Sequence, residues 1–388
     1  MDYFQILDPP ADRQTVLHRF GYRLEFIMHF KLLVGSQEFW PQLQSDIEAA
    51  RKSICVQTLS FEADEAGTGL SEAIRASGAA NRRIIVDRFT RHFISDRWVF
   101  SPRNRLNKAH RSEVVGTREM FAHNGEAGVK VKWVNPFGFL YHKASVRNHK
   151  KMILIDERIA YIGGINFSDH NFEWHDMMIR IDDPEVSQFM QADFDNTWEG
   201  RDIYSRGAFD GIVIRLIDGT TNEQTFSEVF DLIDSANESI FIESPYLSWP
   251  FWDYLRSAVE RGVDVTILMP ADNNRSWVQR YTTWEAARSG INLRYYMPKM
   301  THLKSMLIDE RLLIVGSSNF DYYSYRTQQE VVAAVTDEEL VSEFIERVRD
   351  VDLAQSRAVD TSEVRRSTVV LYGFIRVMGK LTTTLAKL

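Results

Sequence analysis

Hydrophobic positions change period several times along the chain, and each change marks an element. Phe39, Leu43, Ile47 and Ala50 recur at helical spacing, and Ser53-Ile54-Cys55-Val56-Gln57-Thr58-Leu59 then reads as a strand. A short helix over Leu70 to Ala76 and a strand from Arg83 to Val86 follow. This β-α-β order predicts a mixed, largely parallel sheet covered on both faces. The pattern then returns. Phe226, Phe230, Ile233 and Ala236 share a helical face, Ser239 to Ile242 form a strand, Phe251 to Glu260 a helix and Val263 to Leu268 another strand. Aligning Ala50-Arg51-Lys52-Ser53-Ile54 with Ala236-Asn237-Glu238-Ser239-Ile240 makes the chain an internal duplication. The predicted fold is α/β, with two duplicated α/β/α halves, 31–200 and 201–357, joined near Glu199-Gly200-Arg201-Asp202. Residues 1–30 form an N-terminal extension, open between an amphipathic anchor and an edge strand leading into Phe30 to Val34. Residues 358–388 form a basic amphipathic tail.

The halves differ in length. Ser53 precedes His149 by 96 residues and Ser239 precedes His302 by 63, so the first half carries an insertion of 33, placed at about 88–118. It holds Arg88, Arg91, Arg97, Arg103, Arg105, Lys108, Arg111 and Arg118 against only Asp96 and Glu113, with Phe89, Phe93, Trp98 and Phe100 interleaved. Such a composition suits an anionic lipid surface, a single-stranded nucleic acid channel, or a solvated loop over packed aromatics.

Within the duplication, two stretches carry chemistry. His149-Lys150-Lys151-Met152-Ile153-Leu154-Ile155-Asp156 continues to Gly163-Gly164-Ile165-Asn166, and His302-Leu303-Lys304-Ser305-Met306-Leu307-Ile308-Asp309 continues to Gly316-Ser317-Ser318-Asn319. Both space His, Lys and Asp alike, and both place a Gly seven residues and an Asn ten residues after the Asp. On an extended strand, His149 and Lys151 lie two apart and project from one face above a buried apolar run, which makes an oxyanion pocket. Asn166 and Asn319 add amide donors. Two facing copies supply both a nucleophile and an acid, because an imidazole can be neutral or protonated near neutral pH. Lys151, Lys304, Asn166 and Asn319 then surround the nonbridging oxygens of a phosphodiester. With two ammonium groups in place a metal is dispensable, so no metal or other cofactor is expected. His170 and His175 lack a third ligand at suitable spacing.

The paired motif resembles that of the phospholipase D superfamily. Trp174-His175-Asp176, Pro245-Tyr246, Phe39-Trp40-Pro41 and Arg147-Asn148-His149 bring it nearest to the cardiolipin synthase-like, lipid-transferring branch. The resemblance implies a phospholipase D-like fold with one shared active site between the halves. It implies His149 as nucleophile and His302 as general acid, and assigns Asp176 and Glu330 to fixing the imidazoles, each from the opposite half. Asp156 and Asp309 read as braces for the turn that follows. Departures are Tyr323-Ser324, where the branch usually has Arg-Ser, and Gln328, where it usually has Asn. The implied activity is phosphatidyl transfer on glycerophospholipids through a phosphohistidine. Hydrolytic headgroup release and a nucleic-acid phosphodiesterase are the alternatives.

Composition narrows the partners. The net charge of -8 argues against a stable nucleic-acid partner and leaves a phospholipid substrate at an anionic membrane surface, with an oligomer possible. No apolar run approaches ~18 residues and no secretory signal is apparent, so a cytoplasmic, peripherally membrane-associated protein is expected. The segment Arg365 to Leu388, with Arg365, Arg366, Arg376, Lys380 and Lys387 and no acid, is the expected contact. A helix docked on the protein's own core and a dimer contact compete with that reading.

Overall fold

The computed structural model describes residues 28–360 and 369–386. The anchor or edge strand expected within residues 1–27, and Arg365, Arg366 and Lys387 of the expected membrane contact, lie outside them. Two sheets carry the fold. The first has the order His29–Val34, Met177–Asp182, Ile159–Gly163, Met152–Ile155, Ser53–Thr58, Asn81–Asp87, Lys130–Val134. The second repeats that order through Ile212–Asp218, Gln329–Val335, Leu312–Gly316, Ser305–Ile308, Ser239–Glu243, Asp264–Pro270 and Asn292–Tyr296. It adds Ser205–Phe209 at one edge and Ser356–Ala358 at the other.

Contrary to expectation, the sheets are mixed but not largely parallel. Only Ser53–Thr58 with Asn81–Asp87, Asn81–Asp87 with Lys130–Val134, and their counterparts in the second half pair parallel among the described strands. The cause is the motif strand itself. Met152–Ile155 turns straight back into Ile159–Gly163, and Ser305–Ile308 into Leu312–Gly316, as antiparallel hairpins. A strand buried on both faces shows the same unbroken apolar run whichever way its neighbour points.

Both hairpin turns are strained in the same way. Asp156 and Glu157 have φ of 55° and 58°, Asp309 and Glu310 50° and 54°, left-handed pairs that side chains resist, in turns closed by the Arg158 N–H to the Ile155 carbonyl and the Arg311 N–H to the Ile308 carbonyl. The aspartates offset this strain. Asp156 accepts from the backbone N–H groups of Arg51, Lys52 and Ser53 at 2.7–2.9 Å, and Asp309 from those of Asn237, Glu238 and Ser239 at 2.8–3.0 Å. Each motif is thereby tied to the start of the neighbouring strand.

The sheets share one core. Met152, Leu154 and Ile162 of the first pack with Leu307, Leu313 and Val315 of the second. The outer faces are closed by helices, with Phe39, Leu43 and Ile47 on one side and Phe226, Phe230 and Trp252 on the other.

The extra length of the first half is split. Part precedes the Lys108–Glu126 helix, and part lies in residues 135–148, between the Lys130–Val134 strand and His149. Their counterpart is only 297–301. The C-terminal helix, Val369–Ala386, docks on the second half through Thr383 against the Tyr322 hydroxyl and Lys380 over the Trp249 ring at 5.0 Å. Docking of that segment on the protein's own surface is therefore observed.

Candidate active site

Short bridges cross between the halves where the two motifs meet. Asn148 pairs with Gln329 and His175 with Thr301. The His149 N–H donates to the Gln329 carbonyl at 2.9 Å and the His302 N–H to the His175 carbonyl at 2.6 Å. Each motif histidine is thus seated on the strand of the opposite half, one residue from an acid. His149 Nδ1 lies 3.0 Å from Glu330 Oε1, and its hydrogen-bond partners are Glu330 Oε2 at 3.1 Å and the Ser317 carbonyl at 2.9 Å. His302 Nδ1 lies 2.7 Å from Asp176 Oδ2 and 2.6 Å from Lys304 Nζ. With Nδ1 occupied on both rings, Nε2 is the nitrogen left for substrate. All four side chains are buried.

Glycine makes these meetings possible. Gly163 and Gly316 have φ of 158° and 147°, and a Cβ would sit 2.3 Å from the Met177 carbonyl oxygen and 2.1 Å from that of Val331. At Gly164, a Cβ would lie 2.3 Å from the Asp176 carboxylate. The acid-bearing strands therefore approach the motif hairpins only because these positions lack side chains.

Burial disfavours the protonated form of both imidazoles. Burial lowers His149, against the pull of Glu330, and burial with the neighbouring Lys304 takes His302 down to about 3. The Lys304 ammonium donates to the His302 carbonyl and lies 3.6 Å from Asp176. Burial brings Lys304 to about 8 and puts Lys151, which donates to the His149 carbonyl at 2.8 Å, well below its ordinary value. Burial alone would raise the acids. His149 and Lys151 nevertheless hold Glu330 below the usual carboxylate range, and Lys304 and His302 do the same for Asp176. A phosphodiester anion entering this site favours the protonated forms of the two imidazoles and of the two buried lysines behind the cavity wall.

His149, His302, Asn166 and Asn319 all line one cavity of about 480 Å³. Asn319 Oδ1 is buried without a hydrogen-bond partner. The lining includes ten Phe, Trp and Tyr side chains, among them Phe89, Phe137, Trp249 and Tyr322, and Trp174 lies 4.9 Å from the His302 ring.

Several contributors have no mark in the motif. Asp87 accepts from Arg147 Nη1 and the Asn148 N–H, both at 2.6 Å, and so fixes the segment entering His149. Ser317 and Ser324 donate to Glu330. Arg147 and Ser324 were visible as sequence neighbours of the motif, but nothing pointed to Asp87. Among the described residues, two groups of donors come within 4.8 Å of one another: His175, Glu243 and Asp352, and Glu62, Asp64 and Glu113. His175 thus has carboxylate neighbours that its spacing did not reveal. None of these six lines the cavity.

The model of a family described as cardiolipin synthase, phospholipase D-like domain, matches residues 43–198 and 229–351. The chain is 25% identical over 361 residues to cardiolipin synthase A of Pseudomonas fluorescens strain Pf-5, covering 87% of this chain and 71% of that protein. Against cardiolipin synthase A of strain SBW25 it is 27% identical over 370 residues, with the same coverage. Among solved structures, phosphatidylserine synthase from Haemophilus influenzae Rd KW20 superposes with a TM-score of 0.68 at 14% identity, covering 92% of this chain and 95% of that one. Polyphosphate kinase from Porphyromonas gingivalis does so with a TM-score of 0.58 at 11% identity, covering 91% and 53%. These two likenesses concern the fold.

Proposed function

From the premise that the chain belongs to the cardiolipin synthase, phospholipase D-like family, and so is a phospholipase D superfamily enzyme, we propose that it transfers phosphatidyl groups between alcohols through a phosphohistidine. The observation that carries this reading is the pair of cavity-lining histidines, each with Nδ1 held by a buried carboxylate of the other half.

His149 Nε2 attacks phosphorus, and the bond to the leaving alcohol breaks as that oxygen takes a proton from His302 Nε2. The acceptor alcohol then gives its proton to His302, attacks phosphorus and frees His149. Glu330 and Asp176 stabilise the charge that each ring carries in turn. Lys151, Lys304, Asn166 and Asn319 bear on the nonbridging oxygens. His302 is neutral in the free protein, so its acid form depends on the phosphodiester anion, which favours the imidazolium beside it. The aromatic walls suit acyl chains better than a polynucleotide backbone, and the substrate is a glycerophospholipid at a membrane surface.

Product analysis tests this. Vesicles of phosphatidylglycerol, with and without an added alcohol, should yield a new phospholipid ester and free glycerol. Phosphatidic acid alone in the presence of the alcohol would make the protein a hydrolase. Cleavage of single-stranded DNA with no lipid turnover would refute the reading.

A further inference from the structure

Residues 135–148 leave the cavity wall at Phe137, which is buried, and rejoin it at Ala144 and Ser145. Between them the chain turns outward. Gly138 has φ 70°, and Leu140 and Tyr141 have φ of 51° and 60°, two successive side-chain-bearing residues in the left-handed region. The outcome of that unfavourable geometry is that Phe139 and Leu140 stand 82% and 81% exposed at the tip.

The tip is braced. The Tyr141 ring lies 5.1 Å from Phe137 and 5.4 Å from His92, and its hydroxyl is 3.0 Å from His92 Nδ1. The Lys143 N–H donates to the Phe137 carbonyl at 3.0 Å, closing the loop at its base. Two large apolar side chains are thus held out into solvent by a rigid support.

The same opening has two further apolar borders. Trp277 lines the cavity and is 46% exposed. On the C-terminal helix Gly379 and Thr382 line it, while Val377, Leu381 and Leu385, four residues apart, face outward. In the segment that meets the tip through Trp98, whose Nε1 donates to the Tyr141 hydroxyl at 3.4 Å, Arg97, Arg103, Arg105 and Lys108 are exposed, with Asp96 as the exposed acid among them. In a chain of net charge -8 this is a local concentration of cations around an apolar rim.

We propose that this rim is an insertion surface for an anionic phospholipid bilayer, with Phe139 and Leu140 as its wedge, which sets the cavity mouth directly against the lipid. The identity of the occupant rests on the function proposed above. A lipid substrate must enter through the opening these segments border, and a protein seated there would block it. The cations match anionic headgroups and the apolar tip matches the acyl boundary beneath them.

The test is a Phe139→Ser/Leu140→Ser double variant of the full chain, with Val377→Ser/Leu381→Ser as a second, independent variant. Binding is read by sedimentation with vesicles of equal parts phosphatidylglycerol and phosphatidylcholine. Turnover is read on those vesicles and on monomeric dihexanoyl-phosphatidylglycerol. Losing two large apolar anchors should weaken vesicle binding about 30-fold or more. Vesicle turnover should fall with it, while short-chain turnover stays within about twofold and thermal stability is unchanged. Wild-type binding by both variants overturns the proposal. So does an equal loss of vesicle and short-chain turnover, which would make the tip part of the cavity. A wild-type dimer dissociated by the substitutions, with vesicle binding intact, would identify a second copy as the occupant. If neither lipid is turned over by the wild type but binding still collapses in the variants, the proposed reaction fails and the insertion surface stands.

Discussion

Glu330→Gln isolates the charge that the second half contributes to the first histidine. Glu330 is fully buried, lies 3.0 Å from His149 Nδ1 and takes hydroxyl hydrogen bonds from Ser317 and Ser324. Glutamine keeps the volume and can keep an oxygen toward Nδ1, since either serine hydroxyl can rotate to accept from the amide. What is lost is the negative charge opposite a ring that becomes cationic when phosphorylated. A buried charge-assisted hydrogen bond of this kind contributes about 2–4 kcal/mol, so kcat should fall about 30- to 1,000-fold. Glu330 does not line the cavity, so KM should stay within about threefold. The informative assay pairs this variant with Asp176→Asn on two phosphodiesters, one with an aliphatic alcohol and one with p-nitrophenol as leaving group. The phenol needs no protonation. The Asp176→Asn deficit should therefore shrink on it, while the Glu330→Gln deficit should persist. A Glu330→Gln enzyme within threefold of wild type would refute the argument, and the opposite leaving-group pattern would reverse the two histidines.

Other consequences are accessible to simpler measurements. Asp309→Ala removes the acceptor for the Asn237, Glu238 and Ser239 N–H groups beneath a strained turn, and should cost about 2–4 kcal/mol in a urea titration. A change below 0.5 kcal/mol would show that the turn holds itself. His302 is held at about 3 in the folded protein against 6.5 ordinarily, so unfolding takes up a proton between those values. Its share of the stability is constant above about pH 6.5 and declines as pH falls toward 3, by up to about 1.4 kcal/mol per pH unit. His302→Gln should flatten the pH dependence of the unfolding midpoint by that amount, and an unchanged slope would place the proton uptake elsewhere. Because Lys151 and Lys304 supply the positive charge, chelation should leave phospholipid turnover within about twofold. A loss restored by one specific divalent ion would contradict this.

Some of this was legible in the sequence and some was not, for physical reasons. The duplication and the motif strands show in local patterns, because His149 with Lys151 and His302 with Lys304 need only strand alternation to share a face. The sheet directions did not show. Ile153 and Ile308 are as buried in an antiparallel sheet as in a parallel one. The cross-half partners followed from family resemblance alone, since nothing local links His149 to a residue 181 positions away. Asp87 escaped notice because an acid at the end of an ordinary strand has no signature until Arg147 arrives from beyond the insertion. The Phe139-Leu140 tip was hidden by its environment. A Phe-Leu pair reads as core, and only the positive φ angles at Gly138, Leu140 and Tyr141 turn it outward.

The most direct test of the account is to trap the intermediate. The protein is mixed with a p-nitrophenyl phosphodiester without acceptor alcohol, quenched in alkali within one turnover, and examined by intact mass and peptide mapping. The mechanism requires one phosphodiester adduct per chain, on the peptide containing His149, absent in His149→Asn and accumulating to the same level in His302→Asn with this activated leaving group. An adduct on His302 would exchange the roles of the two motifs. Turnover with no adduct on either histidine would contradict the covalent mechanism itself.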